Sequence, residues 1–212
     1  EFRPGAAVQT LYTVGPDEQA VVLRLGRFAE IAESGFHFKL PFGMDAIDKV
    51  PVKRQQKAEF GFGTSGASNR SQYSSGKDEQ EREKNMVTGD LNAATVEWVV
   101  QYRITEPKDY LFNVLDPEDT LRDSSESVMR EVVGDRTVDE VITIGRQDIE
   151  REAQEKLEEL IKKYALGLTI DQVQLKDVNP PLRVQPSFNE VNQAQQEREQ
   201  SINIASGEYN KT

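Results

Sequence analysis

An α+β fold is predicted, and three observations predict it. Short apolar segments of period two fill most of the chain up to Thr105. Capped segments of helical period run from Pro107 to Gly167. A nearly all-polar helical segment, Asn189 to Thr212, closes the chain. A small antiparallel or mixed sheet with packed helices accommodates the first two. The third needs its own explanation, because a helix that is polar almost all round has little to bury by itself.

"LYTVGPDEQAVVLRLGRF", from Leu11 to Phe28, reads as strand, turn and strand, with Gly15-Pro16-Asp17 as the turn. Val21, Leu23 and Leu25 fall on one face, with Val22 and Arg24 opposite. "SGFHFKLPF" puts Phe36, Phe38 and Leu40 on one face. "AIDKVPVKRQQKAEF" is a further extended segment, and Pro51 within it points to an edge or a bulge. Residues 61–84, rich in Gly, Ser and Asn and then charged, are expected to form a mobile loop. The strand with the strongest pattern follows a Gly89-Asp90 turn: Val96, Trp98, Val100, Tyr102 and Ile104 alternate with Glu97, Val99, Gln101 and Arg103.

Pro107 suits the first turn of a short helix through Leu111. Asp116 is an N-cap with Pro117 at the first helical position, because a short carboxylate can accept from the free N–H groups of the first turn. That helix is expected to bury Leu121, Val128, Met129, Val132 and Val133 and to end at Gly134. Thr137 to Glu140 is a capping box. Ile149, Ala153, Leu157, Leu160, Ile161 and Tyr164 form the apolar stripe of the next helix, with Gly167 after it. "LTIDQVQLKDV" is a last strand, stopped by Pro180-Pro181, and a helix restarts beyond Pro186.

Composition narrows the function. The 212 residues suit one domain with an appendage, and a net charge of -11 argues against a nucleic-acid partner, since phosphate binding needs a basic face. No cysteine is present, which removes disulfides, thiolate metal sites and cysteine nucleophiles. No stretch of about 18 apolar residues could span a bilayer. The chain begins Glu1-Phe2-Arg3-Pro4 and is read as a piece whose natural N-terminus lies further upstream.

The motifs of catalysis are weak. Gly61-Phe-Gly63-Thr-Ser-Gly66 matches GxGxxG, but the residues after it are poor helix formers, and a dinucleotide site needs a helix to open there. Gly76-Lys77 is followed by Asp78 where a P-loop needs Ser or Thr. His37, the only histidine, stands between two phenylalanines in a strand, a poor position for a triad base. No catalytic, metal or cofactor residue is assigned, and a serine protease with an unidentified Ser–Lys pair is the competing class. Phe36, Phe38 and Phe42 beside Lys39 support two readings. They are core residues of a small sheet, or a surface that dips into a bilayer interface, where aromatics flanked by lysine are favourable.

Five segments in order, "YTVGPDEQAVVLRLGRF", "GFHFKLPF", "VTGDLNAATVEWVVQYRITEPKDYLF", "DPEDTLRDSSESVMREVVG" and "DVNPPLRVQPSFNEVNQAQQERE", resemble the SPFH (band 7, stomatin/prohibitin) superfamily and, within it, HflK-type subunits. The resemblance implies residues 1–14 as a juxtamembrane segment after a single N-terminal transmembrane helix, 15–181 as the SPFH domain, and 182–212 as the start of a long coiled-coil helix. It also implies a non-catalytic, membrane-attached oligomeric scaffold on the periplasmic side of the bacterial inner membrane. Its implied partners are an HflC-like SPFH subunit, an FtsH-like membrane protease and the lipid bilayer. The polar last helix then has a reason. Phe188, Val191, Gln195, Arg198, Ile202, Ala205 and Tyr209 recur at alternating steps of three and four, a heptad seam whose burying surface is another chain.

Overall fold

The computed structural model describes residues 11–41, 44–62, 77–180 and 185–209. The order of elements is β1 (Leu11–Val14), β2 (Glu18–Arg24), β3 (Arg27–Ala32), β4 (Gly35–Phe38), β5 (Asp45–Pro51), β6 (Gln56–Phe60), α1 (Lys77–Lys84), β7 (Asn85–Val87), β8 (Ala93–Ile104), α2 (Pro107–Phe112), α3 (Pro117–Gly134), a π-helical turn (Glu140–Ile144), α4 (Arg146–Tyr164), β9 (Leu168–Asn179) and α5 (Gln185–Tyr209). Every described strand pairing is antiparallel.

β8 organises the larger core. It pairs with β9 along one side and with β6 and then β7 along the other. Val96, Trp98, Val100, Tyr102 and Ile104 are all buried, as the alternation predicts. α3 and α4 contribute Leu121, Val128, Met129, Val132, Val133, Ile149, Ala153, Leu157 and Ile161 to the same core. Each fully buried apolar side chain of this kind is worth about 1.5–3 kcal/mol. Asp116 caps α3 by accepting from the Asp119 N–H at 3.3 Å. The Thr137 box forms in both directions: Thr137 N donates to Glu140 Oε2 at 2.9 Å, and Glu140 N to Thr137 Oγ1 at 3.4 Å. The turn it opens is π-helical rather than α-helical.

The Thr88-Gly89-Asp90 turn is tied to the end of α3. Gly89 N donates to Arg136 O at 2.7 Å, and a Cβ on Gly89 would stand 2.7 Å from Gly134 O, so only glycine allows this approach. Asp90 accepts from Thr88 Oγ1, Asn92 Nδ2 and Val138 N. These bonds, that of Thr88 first, hold its carboxyl below the usual carboxylate range.

A second, smaller cluster joins Val14, Ala20, Val22 and Ala32, with Tyr12 and Ile47 against it. It belongs to the sheet β3-β2-β5 and the two-stranded ribbon β1-β4. Pro51 ends β5, an edge strand of that sheet, as its missing N–H requires.

Several expectations are corrected. Val21 and Val22 are both buried, because β2 is a central strand covered on both faces. Leu25 does not share the face of Val21: it sits at φ 49 in the two-residue turn to β3 and is exposed. β3 is exposed along all but its last residue and β7 is only 3 residues long, so neither offers a period-two apolar pattern long enough to read. Tyr164, at the end of the α4 stripe, is exposed, and the helix closes on Ala165 in the left-handed region before Gly167. The expected loop 61–84 is helical over Lys77–Lys84, whose residues are strong helix formers with Arg82 and Lys84 in the last turn. Residues 63–76, with most of the GxGxxG and P-loop resemblances, lie outside the described residues.

Candidate membrane-facing surface and oligomerisation seam

The β1-β4 ribbon pairs Leu11 with Phe38, Tyr12 with His37, Thr13 with Phe36 and Val14 with Gly35. Because successive side chains alternate faces, this register sorts the ribbon into two sides. Tyr12, Val14 and His37 face the small core. The Tyr12 and His37 rings stack with centroids 5.5 Å apart, and His37 Nε2 donates to Glu33 O at 2.7 Å. That bond and the stack give His37 a structural role. Burial pushes the Tyr12 phenol up, with the charges of Glu30 and Asp45 adding to it.

The other side carries Leu11, Thr13, Phe36 and Phe38. Phe36 is 76% and Phe38 83% exposed, and Leu11 opposite Phe38 is 49% exposed. The reading of these phenylalanines as sheet-core residues is therefore overturned: the ribbon's core side is taken by Tyr12 and Val14. Lys39 follows directly and is half-buried. Phe42 lies outside the described residues.

Asp45 fixes the chain beyond Phe38. It is buried, accepts from Leu40 N at 2.9 Å, and pairs with Arg24 Nε at 3.1 Å. The Leu40 N–H bond, then the Arg24 guanidinium, hold its carboxyl below the usual range. One residue earlier, Met44 O accepts from Leu25 N at 2.8 Å. Leu25 and Leu40, both exposed, are thus tied to adjacent residues at the end of the ribbon that carries Leu11 and Phe38. Sequence reasoning missed Leu11 as a member of this surface, and missed the exposed turn at Leu25. The Leu25-Gly26 pair, where a tight turn is due, is the signal that could have found the second.

Clustered exposed aromatic and aliphatic side chains of this size mark interaction surfaces more often than chance exposure does. The surface offers apolar area, with Leu11, Phe36 and Phe38 exposed on it. Among the described residues, no group of three or more His, Cys, Asp or Glu could hold a metal ion, and no helix is long and apolar enough to cross a membrane.

α5 is a single helix of 25 residues. Arg198, Ile202 and Ala205 of the expected seam are exposed on it. The side chains of Phe188, Val191, Gln195 and Tyr209 lie outside the described ones. The structure shows a terminal helix here, and a coiled coil remains an expectation for a longer chain.

The model of the SPFH domain / Band 7 family matches residues 12–209. The chain is 39% identical over 200 residues to Protein HflK of Treponema pallidum (strain Nichols), which covers 93% of this chain and 60% of that protein. It is 37% identical over 204 residues to Protein HflK of Borreliella burgdorferi, covering 96% of this chain and 64% of that protein. It is 34% identical over 200 residues to the Modulator of FtsH protease HflK of Escherichia coli (strain K12), covering 94% of this chain and 42% of that protein. The chain thus spans less than two thirds of the length of these relatives. Matched over nearly its whole length, and built on the antiparallel sheets and packed helices described above, the chain belongs to the SPFH domain / Band 7 family.

Proposed function

We propose that this chain is the SPFH portion of a membrane-anchored, non-catalytic oligomeric scaffold of HflK type. In this reading it assembles with an HflC-like SPFH subunit and regulates an FtsH-like membrane protease. It works at the bacterial inner membrane, with the domain on the periplasmic side, and the exposed face of Leu11, Phe36 and Phe38 with Lys39 rests on the lipid bilayer. Leu40 and Phe42 follow these residues in the sequence.

The carrying observation is that ribbon: Phe36 and Phe38 stand out from the fold while Val14, with the half-buried Tyr12, packs into the small core on the opposite side. Aromatic side chains with a nearby lysine are favoured at a bilayer interface. The similarity to HflK proteins, one of them named a modulator of FtsH protease, supports the regulatory part. The polar α5, with Ile202 and Ala205 exposed at seam positions, supports helix–helix assembly in a longer chain.

Co-purification of the full-length protein from its native membrane tests the proposal. An SPFH partner subunit and a membrane AAA protease are expected in stoichiometric amounts, and deletion of the protein should change turnover of that protease's substrates. Recovery of the protein alone, with substrate turnover unchanged in the deletion strain, would overturn it. The competing Ser–Lys protease gains no support from the buried Ser125, whose Oγ accepts the Trp98 indole N–H inside the core.

A further inference from the structure

α1 has an unusual attachment. Its sequence, KDEQEREK, contains no apolar residue, yet it lies against the sheet between β6 and β7. An eight-residue polar helix has neither the length nor the apolar stripe to be stable by itself. What holds it is charge and hydrogen bonding.

Glu83 is the centre of that attachment, with its side chain only 7% exposed. Its Oε2 accepts from Gly61 N at 3.1 Å, and its Oε1 meets Arg122 Nε at 3.3 Å. The Arg122 guanidinium also donates to Glu59 O at 2.9 and 2.8 Å and lies 4.7 Å over the Phe60 ring. Phe60 in turn stacks on Trp98, with centroids 4.6 Å apart and planes 4° from parallel. Two turns along α3, Arg130 donates to Arg82 O at 2.9 Å and to Asn85 O at 3.1 Å, braced by Glu126 at 2.7 Å. Two arginines of one helix face therefore grip the last turn of α1. Gly61 lets the crossing occur: it has φ +79, and a Cβ there would stand 2.7 Å from Lys84 Cβ.

We propose that α1 is a charge-held strap, an element that opens as a unit separate from the sheet and is seated by the Glu83–Arg122 clamp. Seated, it covers the Gly61 amide and the Glu83-facing side of Arg122. Lifted, it presents that amide and a guanidinium released from its carboxylate partner. The core is left standing, because its apolar residues come from other elements. The GxGxxG resemblance that begins at Gly61 has its explanation at this crossing, and no phosphate is needed to account for the first glycine.

Hydrogen exchange on the full chain, followed by mass spectrometry, tests this. In the unaltered protein, peptides covering Glu79–Lys84 should show protection at least ~10-fold below those covering Val96–Tyr102, since locally opening units exchange ahead of the core. Glu83→Ala should abolish protection in α1 and leave that of β8 and α3 within about twofold. Glu83→Gln, which keeps an acceptor for Gly61 but loses the charge, should fall between. If α1 and β8 exchange together in the unaltered protein, α1 belongs to the core's cooperative unit and the proposal fails. It fails equally if Glu83→Ala leaves α1 protected, or if it deprotects β8 to the same extent.

Discussion

Trp98 Nε1 donates to Ser125 Oγ at 3.0 Å, a bond between the central strand and α3 with both residues buried. The indole has one donor, and burial leaves it no water to turn to. Ser125→Ala should therefore strand that N–H and destabilise the fold by about 1–3 kcal/mol. Denaturant titration followed by circular dichroism reads the loss as a lower midpoint at unchanged slope. A midpoint equal to that of the unaltered chain would mean that the indole finds another acceptor.

Phe38→Ser separates surface from core. The side chain is 83% exposed, so stability should change by no more than about 0.5 kcal/mol. If the ribbon rests on lipid, losing a Phe that buries itself there should weaken liposome binding about 10- to 100-fold, the equivalent of about 1.5–3 kcal/mol. Cosedimentation with vesicles and thermal melting together decide. A lowered melting temperature with unchanged binding would refute the membrane-facing role.

Gly167 should not tolerate a side chain. It sits at φ +68, and a Cβ would collide with Glu106 O and come 2.7 Å from Tyr110 N. The backbone on both sides is fixed, because Gly167 O accepts from Thr105 N at 2.9 Å and Glu106 N at 3.0 Å. Gly167→Ala is expected to cost at least about 1–3 kcal/mol from overpacking alone. Gly26→Ala, at φ +78 but with open space around it, should cost less in the same denaturation assay.

Acid should destabilise the chain through named carboxylates. Asp45, Asp90, Glu140 and Glu152 are all held below their ordinary values, by hydrogen bonds first of all. A depressed folded value means that the unfolded chain takes up protons first as pH falls. The stability these groups add is present above the unfolded carboxylate range, about 3.9–4.3, and drains away as pH drops through the folded values. Lys156, raised by Glu131, acts at the other extreme: its contribution is present below about pH 10.4 and is lost above it. Denaturant midpoints should fall steeply below about pH 4, and Asp90→Asn should flatten that limb. An unchanged limb in Asp90→Asn would remove Asp90 from the account.

The 212-residue chain by itself should be monomeric or weakly associated at micromolar concentration. Association costs at least about 4 kcal/mol in lost translational and rotational freedom. The seam offers few apolar side chains against it, with Gln195 and Arg198 in its middle. Sedimentation velocity checks this, and adding several native heptads should shift the chain to an oligomer. A stable higher oligomer of the short chain would assign assembly to the SPFH domain instead.

What the sequence determined about this protein is whatever depends on neighbours along the chain. The alternation of Val96 to Ile104, the Asp116 cap, the Thr137–Glu140 box and the Ile149-to-Ile161 stripe each rest on a local period or a local bond. The tertiary structure decided what depends on residues far apart. Which side of "GFHF" faces out was set by β1, because Tyr12 and Val14 claimed the inner face and left Phe36 and Phe38 outside. Val21 and Val22 are both buried because β2 ended up between two covering layers, a fact no period can encode. The helix Lys77–Lys84 was hidden inside a polar stretch, since its stabilising partners, Gly61, Arg122 and Arg130, stand 22, 39 and 48 residues from Glu83, Glu83 and Arg82 respectively. Burial of a carboxylate follows from where its cation arrives in space, and that is known only once the chain has folded.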